Sequence, residues 1–148
     1  MKNQRMLDEL TELMRIDVSS GQEMEIADCL AAKLEQMGFS ITRDEAGATF
    51  GGVCGNVLAV REGERDSVVC FCSHMDRVPG GIGIKPVEED GILRSSGDTI
   101  LAADDLSGVA AILEGVRQAI ESGKALPKLE ILFTVCLLYT SPSPRDTE

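Results

Sequence analysis

The stretch Ser67-Val-Val-Cys-Phe-Cys-Ser-His-Met-Asp76 decides how the rest of this chain is interpreted. Its short, β-branched apolar run, which ends in His74-Met-Asp76, predicts a buried strand. Because side chains alternate between the two faces of a strand, His74 and Asp76 are expected to point the same way. Open α/β sheets bind ligands at the carboxyl ends of their strands. The pattern therefore predicts a functional site at this histidine and aspartate.

A second stretch, Leu101-Ala-Ala-Asp-Asp-Leu-Ser-Gly108, places two aspartates directly before a helical pattern. Asp104 and Asp105 add carboxylate oxygens to the imidazole nitrogen of His74, and such a donor set suits a divalent metal such as zinc. For Asp105 a structural role stays open, because a carboxylate at the start of a helix also acts as an N-cap.

Cys70 and Cys72 offer a rival zinc site, because they share one face of the predicted strand with His74. The Cα atoms of residues 70 and 74 would lie about 13 Å apart in an extended strand, which is too far for one tetrahedral ion. Burial as small hydrophobic side chains is the interpretation that we favour for both cysteines.

The composition indicates one globular domain of 148 residues, of which 43% are hydrophobic. A net charge of −11 argues against binding to nucleic acid or to an anionic membrane. No apolar run reaches the length of a membrane span, and no apolar signal region follows the amino terminus. The five cysteines show no paired spacing, which favours a reduced, cytoplasmic setting.

Helices and strands alternate along the chain, which predicts an α/β fold with helices flanking a mixed sheet. Ser20 and Glu23 are expected to form a capping box for the second helix, and Glu89-Asp-Gly91 is expected to be a hairpin turn. The predicted helices cover residues 6–17 and 105–122, and a further helix runs from this capping box to Met37. The predicted strands cover 39–43, 55–61, 67–76 and 129–135, and a loop is predicted at 44–55. The last strand can run parallel beside the strand of His74.

Three motifs in this order resemble the peptidase T branch of the two-zinc aminoacylase/carboxypeptidase metallopeptidases. They are Ser73-His-Met-Asp-Arg-Val-Pro-Gly-Gly81, then Gly83-Ile-Lys-Pro86, then Thr99-Ile-Leu-Ala-Ala-Asp-Asp105 with Gly108-Val-Ala110. The resemblance covers roughly residues 5–135. Leu106 stands where the family often has Lys, and Ala102 where it often has Gly, but neither position is a metal ligand in the family.

The resemblance implies roles for three residues. His74 matches a zinc ligand, Asp104 matches the carboxylate that bridges two zinc ions, and Asp76 matches the catalytic-site aspartate that steadies the histidine ring from behind. It also implies a cis peptide bond between Asp104 and Asp105. Since a catalytic zinc site needs about three protein ligands, the family's remaining ligands, its general-base glutamate and its lid domain are expected beyond Val135.

Residues 136–146 resemble translated adapter DNA from sequencing libraries, and the Ser-Pro-Ser-Pro within them does not continue a strand. We therefore expect residues 1–135 to be a partial catalytic, metal-binding domain without the lid domain. Residues 136–148 are expected to be a non-native tail.

Together these features predict a cytoplasmic zinc aminopeptidase that acts on short peptides such as tripeptides. Two Zn²⁺ ions per full-length subunit are expected, and the family's lid domain would provide a homodimer interface. The 148-residue chain itself is expected to be inactive. Two alternatives stay open: a deacylase or carboxypeptidase with the same metal core, and a non-catalytic relative that binds small molecules or partner chains.

Overall fold

A computed structural model describes residues 4–135 of the chain and shows two sheets and three α-helices within that range. The elements are α1 (Gln4–Arg15), α2 (Met24–Gln36), β1 (Ser40–Arg43), β2 (Val57–Arg61), β3 (Arg65–His74), β4 (Pro86–Glu89), β5 (Ile92–Ser95), α3 (Ala103–Glu121) and β6 (Pro127–Thr134). The predicted alternation of helices and strands is confirmed. The expected tail at 136–148 lies outside the described residues.

The larger sheet has the strand order β1-β2-β6-β3. β1 pairs antiparallel with β2, and β2 pairs antiparallel with β6. β6 runs parallel to β3, with His74 opposite Thr134 at the carboxyl ends of both strands. The sheet is therefore mixed, as predicted, and the last strand lies beside the strand of the histidine.

The hydrophobic core lies on one face of this sheet. Val57 and Ala59 of β2 and the residues Leu129, Ile131 and Phe133 of β6 are buried, whereas the residues between them are partly or fully exposed. The buried side chains pack against apolar residues of all three helices, including Leu13, Ile26, Leu30, Leu34, Val109 and Leu113. This alternation follows from the two-residue period of a strand.

The prediction that β3 is a buried strand is wrong. Its residues 65–72 are exposed, and burial begins only at Ser73. β3 has a single neighbour, β6, in the sheet formed by residues 4–135, so its other edge and one face meet solvent. The apolar side chains of Val68 and Phe71 remain 57% and 37% exposed. Local composition indicated a strand correctly, but burial depends on neighbours that a local pattern does not specify.

The smaller sheet is the predicted hairpin, β4–β5. Asp90 and Gly91 form its two-residue turn, both with positive φ, as a type I′ turn requires. The predicted loop at 44–55 contains a short 3-10 helix, Ala46–Phe50. Within the described residues, no helix is both long and apolar enough to cross a membrane.

Candidate metal centre

His74 lies at the end of β3 between two carboxylates. Its Nδ1 is 3.1 Å from Asp76 Oδ1 and 3.3 Å from the Asp76 carbonyl oxygen, and its Nε2 is 3.1 Å from Asp104 Oδ1. The histidine and Asp76 side chains are 11% and 14% exposed, whereas the Asp104 side chain is 92% exposed. The structure thus brings the three predicted site residues together.

The two carboxylates stabilise a positive charge on the imidazole. The bond to Asp76 contributes most and the bond to Asp104 adds to it, which together raise the pKa of His74 to about 9, although burial opposes the charged form. Because both acceptors near Nδ1 belong to Asp76, that nitrogen carries a proton in either charge state. Nε2 is then the nitrogen whose lone pair can face the cleft.

Asp104 and Asp105 stand at the amino terminus of α3 and have non-helical backbone angles. The peptide bond between them is cis, which confirms the prediction. Asp105 Oδ1 accepts a hydrogen bond of 3.1 Å from the Gly108 amide, and its Oδ2 accepts one of 2.7 Å from Ser73 Oγ. Asp105 therefore has the structural role that the sequence left open, that of an N-cap, while Asp104 turns toward the histidine.

A cleft of about 480 Å³ opens over this pair. Its lining includes the polar residues His74, Asp76 and Asp104 and an apolar wall of Val78, Pro79, Ile100 and Leu101. The arrangement provides two candidate ligands for a cation, an imidazole nitrogen and an exposed carboxylate. Within residues 4–135 no group of three or more His, Cys, Asp or Glu residues is placed to hold a metal ion, so this range supplies a partial donor set.

The interpretation of Cys70 and Cys72 as buried hydrophobic residues is wrong. Both thiols are exposed on β3. They do not join His74 in a metal-binding cluster within the described range, and Nε2 of the histidine faces Asp104 instead. The cause is the same as for the strand as a whole: this face of β3 is uncovered in residues 4–135.

Arg77 follows Asp76 and fixes the start of the glycine-rich loop. Its guanidinium is buried and donates 2.7 Å and 2.8 Å hydrogen bonds to the carbonyls of Ile16 and Leu13 at the end of α1. It also donates to the Gly81 carbonyl at 3.2 Å. Burial lowers the pKa of this arginine. Nothing in the local sequence marked it for this role, because its acceptors at the end of α1 lie more than sixty residues away.

The predicted capping box at Ser20 and Glu23 is absent. Helix α2 starts at Met24, and Glu23 occupies the cap position without a side-chain capping bond. Its Oε1 accepts a 2.6 Å hydrogen bond from the Gly21 amide instead. Ser20 lies on the rim of the cleft. Burial explains the difference, since the Glu23 side chain is fully buried and its carboxyl turns back to the Gly21 amide.

The chain is similar in sequence to two bacterial proteins. It is 34% identical over 136 residues to the protein YqjE of Bacillus subtilis, a match that covers 91% of this chain and 37% of YqjE. A shorter stretch of 59 residues, 39% of this chain, is 42% identical to 16% of a succinyl-diaminopimelate desuccinylase of Novosphingobium aromaticivorans. No family profile matches the chain.

Solved structures of peptidases are also similar to this chain. The aminopeptidase PepT of Bacillus cereus superposes with a TM-score of 0.86 at 34% identity, and a tripeptidase of Staphylococcus aureus with 0.84 at 32%. Each match covers 90% of this chain and 36% of the other. A dinuclear metal-binding peptidase of the M20 family from Bacillus subtilis shares the fold at 17% identity, with a TM-score of 0.60 over 88% of this chain and 35% of that one.

The chain spans about 37% of the length of YqjE and 36% of the two peptidases. The described residues therefore have the α/β fold of the amino-terminal part of an M20 peptidase catalytic domain.

Proposed function

We propose that this chain supplies part of the metal centre of a two-zinc aminopeptidase that acts on short peptides. The observation that carries the proposal is the position of His74 between Asp76 on Nδ1 and Asp104 on Nε2, in the lining of the cleft. Similarity to an aminopeptidase and to a tripeptidase supports a peptidase.

Each residue of the site has a separate task in this proposal. Asp76 holds the Nδ1 proton and so leaves the Nε2 lone pair for a cation. The exposed Asp104 carboxylate would hold the metal through its oxygens. Zinc bound there would polarise the scissile carbonyl and lower the pKa of a water molecule. The apolar wall at Ile100 and Leu101 would contact a substrate side chain.

Residues outside 4–135 complete the site in this proposal, because the described residues offer only the partial donor set. They would add the remaining ligands, a general-base glutamate to accept a proton, and a lid domain that provides a homodimer interface. Residues 1–135 are then a partial catalytic domain, with residues 136–148 as a non-native tail.

A deacylase is the second candidate. The similarity to a succinyl-diaminopimelate desuccinylase over 59 residues favours it, since a metal centre of this kind can serve more than one amide. The two candidates differ in what they require beside the scissile bond. An aminopeptidase binds a free amino terminus there, whereas a desuccinylase binds an N-acyl carboxylate.

Metal binding by the purified chain tests the site directly. We expect calorimetry to show weak Zn²⁺ binding that is lost in His74→Gln and in Asp104→Asn. The matched control is Asp98→Asn, which removes an exposed aspartate from the loop before the site and should leave binding unchanged. Equal binding by the wild type and His74→Gln would contradict the proposed centre.

Activity and gene sequence test the rest. The 148-residue chain should not hydrolyse a tripeptide, and zinc-dependent hydrolysis that His74→Ala abolishes would contradict that expectation. Reading the source locus beyond codon 135 should reveal two adjacent glutamates within a few codons. A reading frame that continues without Glu or Asp there would favour a non-catalytic relative. For the complete gene product, the rates of hydrolysis of tripeptides and of N-succinyl amino acids should be compared. Faster hydrolysis of tripeptides would favour the aminopeptidase, and faster hydrolysis of N-succinyl amino acids would favour the deacylase.

A further inference from the structure

Glu23 is the one glutamate with no exposed surface among the described residues. Its Oε1 accepts the Gly21 amide hydrogen at 2.6 Å, whereas its Oε2 is buried without a hydrogen-bond partner within residues 4–135. No lysine or arginine forms an ion pair with it in that range. Burying a carboxyl oxygen without a hydrogen-bond partner lowers the stability of the folded state, so the presence of Glu23 at this position needs an explanation.

The surroundings of Glu23 point to the metal centre. Glu23 bonds the turn formed by residues 19–22, and Ser20 of this turn lines the cleft. The Val53 amide donates a hydrogen bond of 3.0 Å to the Gly21 carbonyl of the same turn. Burial raises the pKa of Glu23, and the charge of Asp76 raises it further. Ser20 and Asp76 line the same cleft, so the turn that Glu23 holds and the Asp76 carboxylate meet at one site.

A helix cap does not account for this side chain. Capping would direct an oxygen to the first free amides of α2, but Glu23 makes no such bond, and its carboxyl turns back to Gly21. In the neutral form that burial favours, the second oxygen carries a proton and becomes a donor. Asp76 Oδ1 already accepts a hydrogen bond from His74 Nδ1, so a second donor to this carboxylate would restrain its rotation.

We propose that Glu23 is a positioning residue that restrains the Asp76 carboxylate from beneath the cleft and thereby orients the His74 ring. Glu23 acts through Asp76 and contacts neither a substrate nor a metal. The catalytic meaning of this role rests on the proposed function. The orientation of the ring is a property of the isolated chain and is measured without metal or activity.

The test uses the fact that His74 is the only histidine in the chain. Nuclear magnetic resonance of the full 148-residue chain with ¹⁵N-labelled histidine therefore reports on one ring. We expect a downfield Hδ1 signal, protected from exchange by the bond to Asp76. Glu23→Gln, which keeps the shape and a donor, should retain that signal. Glu23→Leu, which keeps the volume without polar atoms, and Glu23→Asp, which is one methylene shorter, should lose or broaden it.

The control is Glu9→Leu. Glu9 is also buried, but it pairs with Lys33 and Arg117 on the helical side of the molecule. Its loss should lower the unfolding temperature and leave the Hδ1 signal in place. An unchanged signal in folded Glu23→Asp or Glu23→Leu overturns the proposal. So does loss of the signal in Glu23→Gln or in Glu9→Leu, because the effect would then not require the donor beneath Asp76. Glu23→Asp decides the matter if Glu23→Leu does not fold.

Discussion

Ser73 Oγ donates a hydrogen bond of 2.7 Å to the Asp105 carboxylate, and each of these residues is the immediate neighbour of one member of the His74–Asp104 pair. The bond joins the end of β3 to the start of α3. Asp105 also caps the helix through Gly108. The spacing between the two candidate metal ligands is therefore set by a neighbouring contact between the same two backbone segments.

Replacing Ser73 by Ala tests this coupling. Loss of the bond should lower the free energy of unfolding by about 0.5–1.5 kcal/mol. Zn²⁺ binding should weaken as well, although both ligands remain, because the strand end and the helix start are no longer held together. The control is Ser107→Ala, which removes an exposed bond to the Ala103 carbonyl within the same helix. Calorimetric affinities that are equal for the two variants would contradict the coupling.

Gly108 has no room for a side chain. A Cβ atom there would lie 2.5 Å from both carboxylate oxygens of Asp105, whereas one at Gly115 in the same helix would meet nothing within 4 Å. Gly115→Ala should stabilise the chain by about 0.5–1 kcal/mol, since alanine favours helices. Gly108→Ala should destabilise it, because Asp105 must leave its position as cap. Urea unfolding of the two variants measures both signs, and a stabilising Gly108→Ala would show that Asp105 is dispensable.

The residues of the candidate site could be predicted because they lie in two short motifs. Side-chain alternation placed His74 and Asp76 together. The resemblance to a peptidase family marked Asp104 as the second candidate ligand, and the position of Asp105 before a helix left a cap open for it. Fold class, the parallel pairing of β6 with β3 and the turn at Glu89-Asp-Gly91 also followed from local patterns.

The features that the sequence did not predict share one physical cause: each depends on contacts with residues that are distant in the sequence. An apolar run such as Val68–Phe71 forms a strand from local preference, but its burial depends on which elements cover it. Glu23 satisfied the sequence rule for a capping box, yet the core around it turned the side chain elsewhere. Arg77 bonds carbonyls at the end of α1, a contact that no local pattern encodes.

The exposed position of β3 leads to a prediction about solubility. Val68 is 57% exposed on a strand edge, and long apolar edges favour association between molecules. Val68→Thr should change the free energy of unfolding by no more than about 0.5 kcal/mol and reduce association at high concentration. The matched control is Val57→Thr on β2, where the valine is fully buried. Val57→Thr should lower the free energy of unfolding by about 1–3 kcal/mol. Light scattering and denaturant unfolding give the two readouts, and a large loss of stability in Val68→Thr would mean that β3 is covered.

Glu114 of α3 anchors α1 through Arg5. The arginine donates to both carboxylate oxygens, at 2.8 and 2.9 Å, and Gln118 donates at 2.7 Å. These contacts, with the arginine foremost, lower the pKa of Glu114 to about 2 from an ordinary value of 4.5. A carboxylate whose pKa is lowered by folding stabilises the folded state when the pH is above the pKa that it has in the unfolded state. This contribution is lost as the pH falls from 4.5 toward 2.

Glu114→Gln should therefore be less stable than the wild type at pH 7, by about 1–3 kcal/mol. The difference should shrink steadily between pH 4.5 and pH 2, where the wild-type carboxylate also becomes neutral. Glu62→Gln serves as the control, because Glu62 is 81% exposed and lies 3.8 Å from its lysine partner, so its effect should stay within about 0.5 kcal/mol at every pH. Many carboxylates titrate in this range, and only the difference between variant and wild type isolates one of them. Urea unfolding at pH 7, 4 and 2.5 provides that difference, and a constant value across the three conditions would show that the bond to Arg5 does not stabilise the ionised form.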